Sequence, residues 1–109
     1  MSISNADKKR LSIIHRLPCV ACVQEGCQQP SPTEAHHLVD KGYRKHSGGH
    51  QSSIPLCAHH HRAEPIMGRS KRWMVDCYGP SLAEDKLAFT IRYGNERELL
   101  ANIDKVING

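Results

Sequence analysis

Two short stretches, Cys19-Val20-Ala21-Cys22 and Cys57-Ala58-His59-His60, decide which fold this chain can adopt. Each stretch carries two thiol or imidazole groups with two residues between them, so a single turn can direct both groups at one ion. Zinc favours such a soft, tetrahedral set of sulfur and nitrogen donors. The ligands that we predict for a structural zinc ion are Cys19, Cys22, Cys57 and His60.

Cys27 offers an alternative to His60 as the fourth ligand, because it follows Cys22 closely within a loop. The gap between the two half-sites exceeds the roughly 15–20 residues of a simple zinc ribbon, so a further segment is inserted between them. Cys77 lies in an amphipathic segment, and we expect an ordinary buried thiol there.

The composition agrees with a metal-stabilised protein. The chain has 109 residues, enough for one domain, but only one Phe and one Trp to build its core. Small domains of this kind benefit from an added cross-link. Five cysteines are an odd number, and their spacing among histidines favours metal binding over disulfides. No segment resembles a signal peptide or a membrane span, so we expect a cytoplasmic protein.

Basic side chains concentrate in two segments, although the formal net charge is only +4. Such clusters suit the phosphate backbone of a nucleic acid and would contact it without reading bases. The residues predicted to contact DNA are Lys41, Arg44, Lys45, Arg69, Lys71 and Arg72.

Local patterns predict short elements around a metal-rich middle. A helix over residues 5–17 has Asn5 as its N-cap, residues 23–33 form a loop, and Ser81 caps a helix that ends at Tyr93. The last helix begins with Asn95 and Glu98 in a pattern like a capping box. Its apolar stripe comprises Leu99, Leu100, Ile103, Val106 and Ile107. The remaining predictions are strands over residues 35–39 and 54–56 and helices from about residue 58 and over residues 70–78.

The inserted segment contains a second cluster of histidines. His36 and His37 are adjacent on a predicted strand, where neighbouring side chains point to opposite faces, so they cannot easily share one role. His61 follows the zinc ligand His60 and should point away from it. A second site can then form, with His36 and His61 on one metal and His37 beside it. His50 lies in the glycine-rich loop. It could contact a phosphate group, tune a neighbouring histidine that acts as a base, or brace the loop.

The order of these motifs resembles the HNH nuclease superfamily. Cys-x2-Cys is followed by His-His, a glycine-rich loop and Pro-Leu-Cys-x2-His-His. The run Gly49-His50-Gln51-Ser52-Ser53-Ile54-Pro55-Leu56-Cys57, with the later Trp73 and Tyr93-Gly94, is similar to the phage recombination enhancement function (Ref) family of RecA-dependent nucleases. The resemblance covers roughly residues 18–100, and residues 35–61 are its most diagnostic part.

The resemblance implies an α+β fold. It would be a small zinc-stabilised ββα-metal core, HNH- or treble-clef-like, with flanking helices, in one nuclease domain over residues 1–109. It also implies hydrolysis of DNA phosphodiester bonds in phage-type recombination or DNA processing, with a RecA filament as a partner and a phage or prophage gene as the source. His36 and His61 would hold a catalytic Mg²⁺, Mn²⁺ or Zn²⁺ ion, and His37 would be the general base.

The chain departs from the HNH pattern in two places, and one other function is open. The middle Asn is missing, and Ser52 or Ser53 stands near its position. Chains of the Ref type also tend to have a further His after the His-His pair, and residues 62–67 contain none. Glu64, one helical turn after His61, could complete the metal shell in its place or remain solvated. The paired histidines could instead support the zinc site. The alternative function is therefore a non-catalytic zinc module that binds nucleic acid or a recombination protein.

Overall fold

A computed structural model describes residues 4–38, 49–66 and 68–108 of the chain. Within those ranges six α-helices surround one two-stranded sheet, which confirms the predicted α+β class. A single 3-10 turn at Gly49–Gln51 precedes the second strand. The elements are α1 (Asn5–Arg16), α2 (Val20–Glu25), β1 (Thr33–His37), β2 (Ser53–Cys57), α3 (Ala58–Arg62), α4 (Lys71–Tyr78), α5 (Lys86–Tyr93) and α6 (Glu96–Asn108).

The two strands form an antiparallel pair that sets the position of both histidine stretches. The register runs from Thr33 opposite Cys57 to His37 opposite Ser53. Pro55 lies opposite Ala35, and a proline is tolerated there because a two-stranded sheet consists of edge strands. Cys57 therefore stands at one end of the pair, where the chain turns directly into α3, and His37 stands at the other end.

Helix α1 joins the sheet to the last helix through a buried arginine. Nη2 of Arg10 donates to the carbonyl oxygen of Ser53 at 2.6 Å, and Nη1 lies 2.6 Å from Oδ1 of Asp104. Thr33 fastens the start of β1 to the end of α1, because its hydroxyl donates to the carbonyl oxygen of Leu17 at 3.1 Å. These bonds hold α1, β2 and α6 in a fixed arrangement.

The core lies between the sheet and helices α1, α5 and α6. The largest fully buried side chains of Leu, Ile, Met and Phe are Ile14, Leu38, Ile54, Leu56, Met74, Phe89 and Leu99. The cysteines of the two half-sites belong to the same buried cluster. Among the helices that the structure describes, none is both long and apolar enough to cross a lipid bilayer.

Helix boundaries differ from the predicted ones where a cap was misplaced. Ser4, not Asn5, caps α1, because its hydroxyl accepts the amide hydrogen of Asp7. Helix α5 begins at Lys86, since Asp85 accepts from the amide of Ala88 while Ser81 caps only a short turn. The pair Asn95–Glu98 does begin α6, as predicted, with the amide of Glu98 donating to Oδ1 of Asn95.

Three further predictions were wrong in detail. Helix α2 continues to Glu25, inside the segment predicted as a loop, and ends at Gly26 in the left-handed conformation with φ of 69°. Strand β1 begins at Thr33 instead of residue 35. Cys77 is exposed, because it lies on the solvent face of α4 and not on the face that buries Met74.

Candidate metal centre and histidine cluster

The first candidate site is a buried cluster of three thiols and one imidazole. Within the described part of the chain, it is the one group of three or more potential ligands whose donor atoms all lie close together, within 4.8 Å of one another. Its members are Cys19, Cys22, Cys57 and His60, the four predicted ligands, each at most 2 % exposed. Cys27 lies outside the group, and its thiol instead contacts the carbonyl oxygen of Cys22.

The spacing of the donor atoms matches the edges of a zinc tetrahedron. Bond lengths of about 2.3 Å to sulfur and 2.05 Å to nitrogen require edges of about 3.8 Å between sulfurs and 3.5 Å between sulfur and nitrogen. The Sγ atoms of Cys22 and Cys57 are 3.8 Å apart. Nδ1 of His60 lies 3.5 Å from the sulfurs of Cys19 and Cys22 and 3.2 Å from that of Cys57. The group could therefore hold a metal ion, and its geometry and donors are consistent with zinc.

The four candidate ligands lie in the first turns of two short helices, α2 and α3. Cys19 is the N-cap residue of α2, and Cys22 lies in the first turn of that helix. Cys57 ends β2 and caps α3, which carries His60 one turn later. A spacing of three positions places both members of each pair on one side of a helical turn, so each half-site points inward as a unit.

Tyr78 and Tyr93 hold the imidazole of His60 from the side opposite the sulfurs. Nε2 of His60 donates to the carbonyl oxygen of Tyr78 at 2.7 Å. The hydroxyl of Tyr93 lies 3.4 Å from the same Nε2 and donates to Glu25 at 2.8 Å. This arrangement leaves Nδ1 to face the sulfurs, and outer contacts of this kind fix the orientation of a metal ligand.

Hydrogen bonds among the four donor side chains shift the pKa values of Cys19 and His60. Burial opposes protonation of His60, but hydrogen bonds to Cys19 and Cys57 outweigh it and raise the pKa of His60 to about 10. Hydrogen bonds from Cys22 and Cys57 hold the pKa of Cys19 far below its usual value. A metal ion that binds here must therefore displace protons.

The second candidate site begins with the contact between His36 and His61. Their ring centroids are 5.1 Å apart, with the planes inclined at 68°. His36 comes from β1 and is 9 % exposed, whereas His61 comes from the solvent side of α3. Glu34 and His36 occupy alternate positions of β1 and so share one face, and α3 packs on that face.

Two carboxylates that the sequence did not single out lie beside these rings. Oε1 of Glu34 is 2.8 Å from Nδ1 of His61, and Oε2 of Glu96 is 3.5 Å from Nε2 of His36. A hydrogen bond from Arg62, reinforced by His61, holds the pKa of Glu34 below its usual range. Strand alternation could have identified Glu34, two positions before His36, but Glu96 depends on the packing of α6.

His37 lies beside His50 and not beside the first pair of histidines. Nε2 of His37 is 2.8 Å from Nδ1 of His50, and the ring centroids are 4.8 Å apart. Strand alternation turns His37 away from the face that carries His36, as predicted. The structure thus brings His36 together with His61, and His37 together with His50.

The remaining predicted residues are distributed as follows. Lys41, Arg44 and Lys45 lie outside the described residues. The side chains of Lys71 and Arg72 are exposed and pair with Glu84 and Asp76 of the chain itself. Arg69 stacks over the ring of Trp73, 4.8 Å from its centroid.

Glu64, the alternative metal ligand, is exposed in the structure. Its carboxylate pairs with Nη1 of Arg62 at 3.1 Å, and its side chain is 54 % exposed. The structure therefore places beside His61 a carboxylate from β1, that of Glu34, instead of the one that follows along the helix.

The sequence of this chain matches a known protein family over most of its length. A family model described as recombination enhancement, RecA-dependent nuclease matches residues 4–108, which include both candidate sites. No curated protein matches the chain.

Proposed function

The chain belongs to the recombination enhancement, RecA-dependent nuclease family, and we propose that it is an HNH-type endonuclease that hydrolyses DNA phosphodiester bonds with a divalent metal. The observation that carries this proposal is the contact between His36 and His61 on a sheet that the zinc-type cluster braces. The two half-sites of the Cys19 cluster and the β1–β2 pair support this contact. His36 reaches it from β1, and His61 reaches it from α3.

The residues around His36 suit a metal ion. Nε2 of His36 is a buried atom that makes no hydrogen bond to any residue that the structure describes, although Oε2 of Glu96 lies 3.5 Å from it. Buried polar atoms without a partner are rare, and one explanation for such an atom is an ion. His61 would bind through Nε2, because its Nδ1 faces Glu34. The second metal is thus proposed at His36 and His61, apart from the structural site at Cys19.

The chemistry at this site follows from the donor set. Imidazole ligands suit Zn²⁺ and are tolerated by Mn²⁺, whereas Mg²⁺ requires additional oxygen ligands. When bound, a divalent ion stabilises the charge on a phosphate and on the departing oxygen. Glu34 orients His61, and the carboxylate of Glu96 lies 3.5 Å from Nε2 of His36, on the side where the ion would bind.

His37 is the proposed general base. A neutral imidazole accepts a proton from water near physiological pH, and hydrolysis needs such a group beside the attacked phosphorus. His37 is the residue directly after His36 on β1, at the end of the strand pair. Strand alternation turns its ring to the other face of β1, so this role requires a phosphate bound at the end of the strand pair, within reach of both faces.

The partners proposed are DNA and a RecA filament. The family description ties nuclease activity to RecA, so the substrate would be DNA that RecA has bound, in the cytoplasm of a bacterium. Lys41, Arg44, Lys45, Arg69, Lys71 and Arg72 are proposed to contact its phosphates. Because Lys71 and Arg72 already pair with carboxylates, their contribution requires exchange of those exposed ion pairs, which are weak.

A cleavage assay with the base removed tests the proposal. Zinc-loaded protein is incubated with plasmid and single-stranded DNA in Mg²⁺, Mn²⁺ or Zn²⁺, with and without RecA. We expect cleavage by the wild type and a loss of about 10²–10⁴-fold for His37→Ala, with unchanged zinc content and DNA affinity. Full cleavage by His37→Ala would remove this mechanism. DNA binding by the wild type without cleavage under any condition would favour the non-catalytic zinc module.

A further inference from the structure

We propose that His50 positions His37 for proton transfer, through the hydrogen bond between Nε2 of His37 and Nδ1 of His50. This inference rests on the proposed function, because it assigns a role toward the general base. The two nitrogens are 2.8 Å apart, a distance typical of a well-formed bond. The ring planes are inclined at 73°, and the short contact joins one ring nitrogen of each histidine.

The turn that carries His50 is anchored on both sides. The hydroxyl of Ser53 donates to the carbonyl oxygen of His50 at 2.8 Å, and the amide of Ser52 donates to that of Gly49 at 3.1 Å. Nε2 of Gln51 donates to Asp7 at the start of α1, also at 2.8 Å. Bonds to β2 and α1 thus fix the backbone on which the imidazole of His50 is mounted.

The strand that carries His37 is held to the same turn. The amide of Leu38 donates to the carbonyl oxygen of Ser52 at 3.0 Å, directly after the pairing of His37 with Ser53. His37 and His50 are therefore mounted on two segments whose backbones are bonded to each other. The contact between their rings is a built feature of this end of the sheet.

The bond couples the tautomers of the two rings, and one of the two arrangements suits a general base at His37. In neutral imidazole one nitrogen carries the hydrogen and the other carries the lone pair. If Nε2 of His37 donates to His50, its Nδ1 keeps the lone pair that a general base needs, and the ring cannot rotate without breaking the bond. Histidine bases are commonly oriented through their second nitrogen in this way.

Three variants distinguish the positioning of His37 from two other effects, the loss of side-chain volume at position 50 and the loosening of the turn that carries His50. His50→Leu keeps an apolar side chain of similar volume and removes the acceptor. His50→Asn keeps a polar atom on Cγ, at the place that Nδ1 occupies in the histidine ring. Gln51→Leu breaks the bond to Asp7 in the same turn and leaves both imidazoles intact, so it controls for loosening of the turn.

We expect His50→Leu to lower the single-turnover cleavage rate by about 10²-fold, the cost of a misplaced catalytic group. DNA affinity and zinc content should stay unchanged. His50→Asn should recover most of the rate, and Gln51→Leu should cleave within a few-fold of the wild type. Equal cleavage by His50→Leu and wild type, or an Asn variant as slow as the Leu variant, would overturn the assignment.

Nitrogen-15 NMR of the His37 ring supplies a readout that does not need activity. The wild type and His50→Asn should show the tautomer protonated at Nε2, and His50→Leu should show a mixture. The same tautomer population in all three proteins would remove this inference alone. Absence of cleavage by the wild type would instead remove the proposed function, and the NMR result would still decide whether His50 holds His37.

Discussion

At the scale of single residues, Tyr93 links the metal cluster to the helices around it. Its hydroxyl lies 3.4 Å from Nε2 of His60, and its one hydrogen is shared between two acceptors, Glu25 at 2.8 Å and the carbonyl oxygen of Tyr78 at 3.1 Å. Burial, and then the neighbouring Glu25, raise the pKa of Tyr93, so the phenol stays neutral and can donate. One side chain from α5 therefore orients a ligand on α3 and fastens α2 beside it.

Tyr93→Phe should weaken zinc binding without abolishing it. The substitution removes the hydroxyl and keeps the ring in the core, where it packs edge to face against Phe89. Loss of an outer contact to a metal ligand typically costs about 10–100-fold in affinity. Competition with a chromophoric chelator measures this directly. An unchanged zinc affinity would show that Tyr93 does not support His60.

The zinc-type ligands were predictable from the sequence because each half-site is local. Two donors on one turn are recognisable by their spacing alone, and two such turns suffice for four ligands. Tyr93, Glu25 and Glu96 were not predictable, since each contacts its partner through packing of helices distant in the chain. The role of His50 could not be predicted either, because the glycine-rich segment before it has no helical or strand periodicity that would place its side chain.

At the scale of elements, α6 shows how far periodicity alone can be used. The helical spacing predicted one apolar stripe, and the structure buries Leu99, Leu100 and Ile103 as expected. Val106, assigned to the same stripe, is 61 % exposed, because no described element covers the end of the helix there. An apolar stripe predicts which face of a helix is buried. It does not predict how far along the helix that burial extends.

Leu99→Ala and Val106→Ala form a matched pair on this helix. Leu99 is 1 % exposed, and its truncation should lower the free energy of unfolding by about 2–5 kcal/mol. Val106→Ala should change it by no more than about 0.5 kcal/mol, as for most surface substitutions. Urea denaturation of the zinc-loaded proteins measures both. Equal losses would mean that the exposed end of α6 is covered in solution.

Element boundaries were the weakest part of the prediction, and the reason is capping. Several residues near the start of a helix can accept an amide hydrogen, and only the packed fold selects one of them. Ser81 and Asp85 both had suitable side chains before α5, and Asp85 makes the bond to Ala88. The opposite facing of His36 and His37 was easier to predict, because successive side chains of a strand alternate between its two faces.

At the scale of the whole molecule, a metal ion bound by the three thiols and His60 would add stability that the small core lacks. Binding of structural zinc contributes about 10–16 kcal/mol, and the whole stability of a domain is about 5–15 kcal/mol. The cluster joins α2, β2 and α3, and the imidazole of His60 also touches the aromatic core. The fold should therefore depend on the metal.

Chelation should unfold the chain, and two cysteine variants show whether the cluster is responsible. Cys57→Ser removes one of the four donors and should behave like the chelated wild type. Cys27→Ser should remain folded, because that thiol lies outside the group. Circular dichroism with thermal melting follows all three. A metal-free wild type with an unchanged spectrum and melting temperature would contradict a structural role for zinc.

The central claim is that His36 and His61 hold a second metal, separate from the zinc cluster, on which hydrolysis depends. Binding of Mn²⁺ to the zinc-loaded protein, followed by electron paramagnetic resonance, tests it most directly. We predict one bound Mn²⁺ per chain in the wild type and its loss in His36→Ala and in His61→Ala, with zinc retained in both variants. Equal Mn²⁺ binding by wild type and variants would contradict the claim.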